Sequence, residues 1–398
     1  MASPPASPQP ARRVAVVIEA SNAYARGLLA GIRRHVREHD PWTIFLPEHG
    51  RGAPPLAALG EWHGDGAIAR IETPAIAAAL ATLRRRRPLP IVDVSAGRLL
   101  SDVPYVETDD AAIASLAAEH FLERDFRHFA FLGDERFRWS ENRRLAFTDT
   151  IGGTGHGVDV FTLPAVRNPR RRHAGGSDDD EAIERWLADL PKPLALFACY
   201  DIRGRQALDA CRRAGIAVPD EVAVLGVDDD ELLCGLSSPP LSSVIPDAVG
   251  AGRLAATLLE RLMQGKRLEA AEWLLPPLGI ATRQSSDVLA IDDPLVVAAV
   301  QFIRERTCTG IKVQDVVREL STSRRILDAR FAARIGHTPH EEIARQQFRR
   351  VEQLLAETDL PLTKIAERCG FRHAEYMTVA FGRRHGMPPS RWRAVHRR

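Results

Sequence analysis

The sequence is poor in cysteine, with five among 398 residues, an odd number that includes no C-x-x-C pair. A structural zinc site built from cysteine pairs is therefore disfavoured, and we expect buried free thiols in a reducing compartment. The cysteines are Cys199, Cys211, Cys234, Cys308 and Cys369.

Long apolar runs are also missing. No stretch approaches the ~18 apolar residues that a membrane-spanning helix needs, and the start of the chain lacks the basic and apolar segments of a signal peptide. We therefore predict a cytoplasmic protein without a membrane partner. Residues 1–11, rich in Pro, Ser and Ala, are expected to be a disordered leader.

No pairing of a nucleophile with a general base can be argued from the sequence, so we predict a non-enzyme without a cofactor. The glycine-rich stretch Ile151–Gly157 lacks the G-x-G-x-x-G spacing of a dinucleotide loop and follows a helix rather than a strand. His35–His39 matches the zinc pattern H-x-x-E-H. No further acidic ligand can be identified, and histidines suit a helix end, so we predict no metal site.

The low net charge of +2 conceals an uneven distribution. From Ile291 to Arg398 there are 20 Lys and Arg against 13 Asp and Glu, whereas the remainder has 34 basic and 39 acidic residues. A basic end on an acidic body indicates that only the end faces a polyanion.

Strands and helices alternate along the body of the chain. Apolar, β-branched runs such as Val14–Ile18 and Val222–Val227 predict strands covered on both faces, and the helix Ala111–Arg124 is one of those between them. This alternation over about 270 residues predicts parallel sheets in two doubly wound lobes. The composition break at Thr282–Pro294 is interpreted as the interdomain linker.

The C-terminal segment Ile311–Arg398 contains an internal repeat with an offset of 50 residues. Each copy predicts a short amphipathic helix, a tight turn and a second helix, which is the outline of a helix-turn-helix. Such a motif places its second helix in the DNA major groove. The matching pairs are Phe331 and Phe381, Arg334 and Arg384, Gly336 and Gly386, and Pro339 and Pro389.

In each copy, polar residues at the start of the second helix are predicted to face DNA, where arginine is the usual reader of guanine. Tyr376, Ala380 and Phe381 are expected to pack inward in the second copy. A plain helical bundle with solvated arginines is the alternative, which the repeat and the basic charge disfavour. The predicted DNA-binding residues are Ser323, Arg324, Arg325 and Asp328 in the first copy, and Arg372, His373 and Glu375 in the second.

The segment Ile311–Arg393 resembles the AraC/XylS-type DNA-binding domain. The resemblance rests on the phrase Ile365–Phe371 (I-A-x-x-C-G-F), followed by Phe381, Gly386, Pro389 and Arg393. Three positions depart from the family pattern. Met377 replaces the usual aromatic residue, Gly382 replaces a usual lysine, and Ser321 stands where the first turn usually has glycine.

Residues 12 to about 285 are similar to the effector domains of LacI-type repressors, which have the periplasmic-binding-protein fold. With the AraC-type end, the whole resembles the regulators of xylose operons in enteric bacteria. This resemblance implies that residues 12–285 form a sugar-sensing domain, that 286–293 form a linker and that 294–398 form the DNA-binding domain. The stretches that carry it are Glu19–Arg26, Glu107–Asp109, Trp139–Arg144, Tyr200–Arg203 and Gly226–Glu231.

A pentose requires carboxylates and a guanidinium that each meet two hydroxyls, together with an aromatic plate. Asp201 and Asp228 each follow a strand, where open α/β sheets bind ligands, and Asp109 precedes a helix. We predict these three as sugar ligands, and the family pattern falls on Asp228. Each aspartate could instead be a helix N-cap, and Asp109 or Asp110 could be only that.

Four further residues complete the predicted sugar site. Arg143 is the expected bidentate donor and Trp139 the aromatic plate, whereas Tyr24 and Arg26 are expected to close the cleft from the first lobe.

The sequence thus predicts a sugar-responsive transcription factor that activates pentose catabolic genes, with D-xylose as the first candidate effector. Sugar would close the two lobes, alter the geometry of a homodimer and place the C-terminal domains on promoter DNA beside RNA polymerase. The alternative is a carbohydrate-binding or carbohydrate-modifying protein whose C-terminal helices serve only oligomerisation.

Overall fold

A computed structural model describes residues 11–39, 41–47, 59, 62–164, 176–288 and 293–396. The predicted leader therefore lies outside the described residues except for Ala11. The chain divides into two units, Met1–Val288 and Leu289–Arg398. No helix in the described ranges is long and apolar enough to cross a membrane.

The first unit contains twelve strands in its described part. In chain order they are β1 Arg12–Val17, β2 Trp42–Phe45, β3 Gly66–Ala69, β4 Ile91–Asp93, β5 Tyr105–Thr108, β6 His128–Asp134, β7 Val158–Leu163, β8 Leu194–Ala198, β9 Val222–Val227, β10 Ser242–Ile245, β11 Glu272–Leu275 and β12 Gly279–Ala281.

These strands form two six-stranded sheets. Sheet 1 has the order β11-β5-β4-β3-β1-β2 and sheet 2 the order β12-β10-β9-β8-β6-β7. All neighbours are parallel except β10 and β12, which are antiparallel. Two largely parallel, doubly wound lobes therefore match the fold class that the alternation of elements predicted.

Eight helices connect the described strands of this unit. They are α1 Ala23–Glu38, α2 Pro74–Arg86, α3 Asp110–Leu122, α4 Arg138–Gly152, α5 Gly176–Asp189, α6 Asp201–Ala214, α7 Glu231–Leu236 and α8 Ala248–Met263. Strand β1 shows why both faces of sheet 1 are covered. Val14 and Val16 pack into the core that contains α1 and α8, whereas Ala15 and Val17 pack into the core that contains α2.

Helices α1 and α8 pack with their backbones in contact. A Cβ atom on Gly31 would lie 2.1 Å from the carbonyl oxygen of Val249, and a Cβ on Gly252 would lie 2.1 Å from that of Leu28. Only glycine fits at such a separation, so these two residues define how closely the helices approach.

The second unit is helical throughout its described part. Its α-helices are α9 Pro294–Arg306, α10 Val313–Glu319, α11 Arg324–Ile335, α12 Pro339–Glu357, α13 Leu362–Arg368, α14 Ala374–His385 and α15 Pro389–His396. One core contains α9, α10 and α11, and another contains α13, α14 and the end of α12. The pairs α10–α11 and α13–α14 are the two expected helix-turn-helix units.

The turns of these two units have the same backbone conformation in different residues. Gly370 has φ +76°, and a Cβ on it would lie 2.7 Å from the carbonyl oxygen of Thr307. Ser321, in the first turn, has φ +47° although it carries a side chain. The first turn therefore holds a conformation that costs a non-glycine residue free energy.

One expectation about the second recognition helix was wrong. Tyr376 does not pack inward, because its side chain is 67% exposed, whereas Met377 is fully buried beside Phe381. Residues 377 and 381 are one helical turn apart and share the buried face. Position 376 is rotated by about 100° from it, so the apolar stripe passes through the methionine.

We propose an interdomain linker that is shorter than the predicted linker 286–293. Ser286 is fully buried and its Oγ lies 2.8 Å from Nε2 of His120, within the first unit. Asp293 caps α9 by accepting from the backbone N–H groups of Leu295 and Val296. The proposed linker shortens to residues 289–292, which lie outside the described residues.

Candidate functional site

A cavity of about 410 Å³ lies in the first unit, at the carboxyl ends of strands from both sheets. This volume is within the usual range of small-molecule sites, and this edge is where open α/β sheets bind ligands. Strands β1, β3 and β5 contribute from sheet 1, and β6, β8 and β9 from sheet 2. The lining residues are Glu19, Ser21, Asn22, Ala23, Tyr24, Arg70, Glu72, Glu107, Arg136, Phe137, Trp139, Arg143, Tyr200, Asp201, Ile202, Asp228, Asp230 and Leu233.

The sheet 1 side of the cavity is built around Tyr24, Arg70 and Glu107. The Tyr24 hydroxyl donates to Oε1 of Glu107, and Cζ of Arg70 lies 5.2 Å from the centroid of the tyrosine ring. Burial raises the pKa of Glu107 to about 7, against the opposing charge of Arg70. Burial also raises the pKa of Tyr24. Near neutral pH the Glu107 carboxyl group can thus donate or accept a hydrogen bond, as a sugar hydroxyl requires.

Arg143 is held on the sheet 2 side by two protein acceptors. Its Nε donates to Oδ1 of Asp110 at 2.8 Å, and its Nη1 donates to the carbonyl oxygen of Cys199 at 2.6 Å. The remaining N–H groups on Nη1 and Nη2 have no acceptor within the described ranges. A fixed guanidinium with two unused neighbouring donors can meet adjacent hydroxyls.

Three aromatic rings form the wall beside this arginine. Phe137 stacks on Trp139 with a centroid separation of 4.7 Å and an interplanar angle of 13°, and Tyr200 meets Trp139 edge-on at 5.3 Å. Cζ of Arg143 lies 4.9 Å from the Trp139 ring. Phe137 thus covers one face of Trp139, and Cζ of Arg136 lies 5.0 Å from the centroid of the Phe137 ring. Both rings line the cavity beside these guanidinium groups.

Asp201 and Asp228 have different surroundings although both line the cavity. The Asp201 carboxylate accepts from Oγ of Ser243 at 2.6 Å and from the backbone N–H of Asp230 at 2.8 Å, with Cys234 Sγ at 3.4 Å. Burial and the charge of Asp228 raise the pKa of Asp201. Its oxygens therefore mainly hold the turn after β9.

The Asp228 carboxylate accepts no hydrogen bond from any described residue. Burial raises its pKa to about 6, and the charges of Arg143 and Arg70 oppose the rise. Its backbone has φ +108°, a conformation that side chains rarely adopt and that is often found at functional sites. Asp228 is thus a strained, partly buried carboxylate whose lone pairs are available to a ligand.

Two of the seven predicted sugar residues do not line the cavity. Arg26 donates from Nη2 to Oδ2 of Asp230 at 2.9 Å, which joins α1 to the N-cap of α7. Asp109 is the N-cap of α3 and accepts from the backbone N–H of Ala112 at 2.9 Å. Its neighbour Asp110 provides the carboxylate that pairs with Arg143. The structure therefore brings together Tyr24, Trp139, Arg143, Asp201 and Asp228.

Several cavity residues were not predicted from the sequence. Arg70 follows β3, as Asp228 follows β9, and Glu107 is the next-to-last residue of β5, so their positions near strand ends were the available signal. Glu107 lies in the stretch Glu107–Asp109 that carries the family resemblance, but the sequence favoured Asp109 as the sugar ligand. Asp230 likewise lies in the stretch Gly226–Glu231 that carries the resemblance, whereas Phe137 had no signal of its own.

Helix α11 is the second helix of the first helix-turn-helix unit, its recognition helix. Of the four DNA residues predicted there, Ser323, Arg324 and Arg325 are exposed and Asp328 is half-buried. Ser323 is the N-cap, and its Oγ accepts from the backbone N–H of Ile326 at 3.3 Å. The Arg324 side chain is 65% exposed and lies 3.5 Å from Asp328, whereas Arg325 is exposed without an ion pair in the described part of the chain. Leu327 is buried beneath them. The arginines are thus free to reach a polyanion.

The second recognition helix, α14, begins after Arg372 and His373, both exposed, and Glu375 is exposed in its first turn. His373 is the N-cap residue but makes no side-chain cap hydrogen bond. Its imidazole therefore remains available to an external partner. All seven predicted DNA residues lie at the starts of the two recognition helices.

Comparisons with known proteins agree with both units. A family model described as a periplasmic binding protein-like domain matches residues 118–286, and a helix-turn-helix domain model matches residues 316–394. The xylose operon regulatory protein of Escherichia coli K12 is 30% identical over 392 residues, which cover 96% of this chain and 97% of that protein. The corresponding protein of Haemophilus influenzae is also 30% identical, over 96% of this chain and 98% of its own.

A solved structure gives the same result in three dimensions. The xylose-binding transcription activator XylR matches with a TM-score of 0.79 and 30% identity, over 97% of this chain and 99% of that one. These relatives are transcription regulators rather than enzymes, and the chain is a sugar-responsive regulator of the same kind. The chain belongs to the xylose operon regulator family, in which a LacI-type, periplasmic-binding-protein-like domain precedes an AraC-type helix-turn-helix domain.

Proposed function

We propose that the chain activates pentose catabolic genes and that its effector is a neutral pentose, D-xylose in particular. Sugar binds between the two sheets of the first unit, closes them, and changes how a homodimer places its helix-turn-helix units on promoter DNA beside RNA polymerase. The names of the relatives support the choice of xylose. A cytoplasmic location belongs to the same proposal.

One observation carries the sugar-binding part of the proposal. The cavity combines a carboxylate without a described partner, Asp228, with the unused N–H groups of Arg143 and the aromatic pair of Phe137 and Trp139. A pentose presents adjacent hydroxyls on its edge and C–H groups on its faces. Acceptors, donors and an apolar plate around one space are the groups that such a ligand needs.

The charges of the cavity favour a neutral sugar over a phosphorylated one. Each of its three arginines already pairs with a carboxylate: Arg70 with Glu72 at 3.0 Å, Arg136 with Asp134 at 2.8 Å, and Arg143 with Asp110 at 2.8 Å. Asp228 and Glu107 add acidic groups. A phosphate would enter without an unpaired cation to receive it, so sugar phosphates should bind at least about tenfold more weakly.

Titration calorimetry with a pentose panel tests the proposal. D-xylose, L-arabinose, D-ribose and D-xylose 5-phosphate are added to the full-length protein under identical conditions. The proposal expects one neutral pentose to bind with one site per chain and the phosphate to bind weakly. Tight binding of the phosphate, or binding of no pentose, would refute the assignment of the cavity.

A further inference from the structure

A second cluster of chemically active side chains lies away from the cavity, at one end of the seam between α1 and α8. His35 and Glu260 belong to the two helices, and His39 follows α1 directly. One ligand atom from each of these residues lies within 4.8 Å of the other two. The H-x-x-E-H pattern lacked an acidic ligand in the sequence, and α8 supplies one from far along the chain.

The glycines of the seam explain this juxtaposition. Gly31 and His35 are four residues apart on α1 and face α8, as Gly252 on α8 faces α1. Backbone contact at the glycines places His35 directly against α8, where Nδ1 lies 3.3 Å from Thr257 Oγ1 and Nε2 lies 3.0 Å from Glu260 Oε2. The cluster is therefore fixed by helix packing rather than by loops.

The hydrogen bonds around both histidines accommodate neutral rings that carry their proton on Nδ1. His39 Nδ1 lies 3.0 Å from the carbonyl oxygen of His35, which can only accept, so Nδ1 is protonated. Thr257 Oγ1 donates to the carbonyl oxygen of Arg253 at 3.0 Å and can accept from His35 Nδ1. Each neutral ring therefore keeps its lone pair on Nε2.

The His35 ring leaves a contact unexplained. Its side chain is fully buried, and its Nε2 makes no well-directed hydrogen bond within the described ranges although Glu260 is 3.0 Å away. An N–H group and a lone pair on Nε2 point in the same direction, so the lone pair points to one side of the Glu260 carboxylate, where a cation could bond to both atoms. Zinc binds imidazole nitrogen and carboxylate oxygen at about 2.0–2.2 Å, so two of its ligand atoms stand about 3.0–3.5 Å apart. The observed separation fits that range.

We propose that His35, His39 and Glu260 form a binding site for a divalent cation of the zinc class. Two imidazole Nε2 atoms and one carboxylate are a ligand set that suits zinc, nickel or cobalt rather than magnesium or calcium. The acceptors on the opposite ring nitrogens are the outer-shell partners that metal-binding histidines have. The His39 ring stacks on the His35 ring with a centroid separation of 4.2 Å and an interplanar angle of 14°. The exposed His39 side chain would therefore turn out of this stack for both lone pairs to meet one ion. Bound metal would join α1 to α8 and stabilise the sheet 1 lobe.

The test uses untagged full-length protein, stripped with a chelator and titrated with zinc chloride by calorimetry and with cobalt by visible absorption. Wild-type protein should bind one ion per chain at this site, and zinc should raise the melting temperature. His39→Ala and Glu260→Gln should each weaken zinc binding by more than about tenfold, and Thr257→Val by about tenfold through the lost outer-shell acceptor.

His128→Ala is the matched control, because His128 is an exposed histidine on β6, outside the cluster. It should retain wild-type zinc affinity and the cobalt spectrum. His39 is exposed, so His39→Ala should fold, which circular dichroism checks. Failure of the wild type to bind zinc would overturn the proposal, since His35 and Glu260 would then be an ordinary histidine–carboxylate contact. Equal affinity in His39→Ala, Glu260→Gln and His128→Ala would also overturn it.

Discussion

Arg143 of the first unit and Arg325 of the second carry the same guanidinium group in opposite surroundings. Arg143 is 5% exposed and donates to Asp110 and to the carbonyl oxygen of Cys199. Arg325 is exposed at the start of a recognition helix, without an ion pair among the described residues. The first arginine is pre-positioned for a small ligand with fixed stereochemistry. The second is exposed to solvent, where it can meet the phosphates or bases of a polyanion.

The same contrast extends to the other charges of the two regions. In the cavity, carboxylates hold the arginines in place, and Asp228 alone among its aspartates accepts no hydrogen bond from the described chain. At the recognition helices, Ser323 caps the backbone while the arginines beside it extend into solvent. Burial in the cavity therefore fixes the positions of the charged groups, whereas exposure at the recognition helices lets the arginines attract a polyanion through solvent.

The largest expected effect is a difference in the free energy of unfolding between variants of Arg143 and Arg325. Arg143→Met should lower the free energy of unfolding by about 3–5 kcal/mol, because it leaves the buried Asp110 carboxylate unpaired. Arg325→Ala should change it by less than about 0.5 kcal/mol, as is usual for exposed sites. Urea denaturation monitored by circular dichroism measures both. Similar losses in the two variants would contradict the comparison.

The second prediction concerns sugar binding. Asp228→Ala should weaken pentose binding by about 1.5–3 kcal/mol, the worth of hydrogen bonds to a charged group. It should not lower the free energy of unfolding, because the carboxylate has no described partner to lose and its pKa is raised by burial. Calorimetry and denaturation of the same sample give both quantities. Asp109→Ala is the matched control: it removes a helix cap, which costs stability and leaves sugar affinity unchanged.

The third prediction compares the two recognition helices. Arg324→Ala should cost about 1–3 kcal/mol on cognate DNA and little on unrelated DNA if the side chain reads a base. Arg372→Ala should weaken binding to both DNAs alike and reduce the salt slope by about one if it contacts phosphate. Fluorescence anisotropy across a salt series distinguishes these outcomes. Equal discrimination by both variants would contradict the expectation that Arg324 reads a base and Arg372 contacts phosphate.

The smallest expected effect lies in the turns of the helix-turn-helix units. Ser321→Gly should raise the free energy of unfolding of the second unit by up to about 1 kcal/mol, because glycine adopts the left-handed conformation without a steric cost. Gly370→Ala should lower it by more than this, since its Cβ would lie 2.7 Å from the carbonyl oxygen of Thr307. Opposite signs in thermal denaturation are the expected result.

Features of the fold that depend on residues close together in the sequence could be predicted from it. The continuous apolar run of β1 and the repeat that pairs Phe331 with Phe381 are visible within short stretches of sequence. The two-lobed body and the paired helical units could therefore be predicted from such patterns. The inward residue of α14 was misassigned because a shift of one position rotates a helical side chain by about 100°. Tyr376 looked apolar enough for the core, but Met377 occupies the buried face.

The site was predicted less completely because its residues meet through topology. Asp228 and Arg143 carried strand-end and family signals, and both line the cavity. Asp109 and Asp110 are adjacent in sequence, and only the fold shows that one caps a helix while the other pairs with Arg143. Glu260 likewise approaches His35 only through the packing of two helices distant in sequence.

We propose that sugar in the cavity controls how the helical unit binds DNA. Fluorescence anisotropy with the DNA upstream of the protein's own gene, measured with and without D-xylose, tests it most directly. Xylose is expected to increase the affinity of the wild type, whereas Asp228→Ala is expected to retain only basal affinity and not to respond. Sequence-specific DNA binding that no pentose alters in the wild type would contradict the claim.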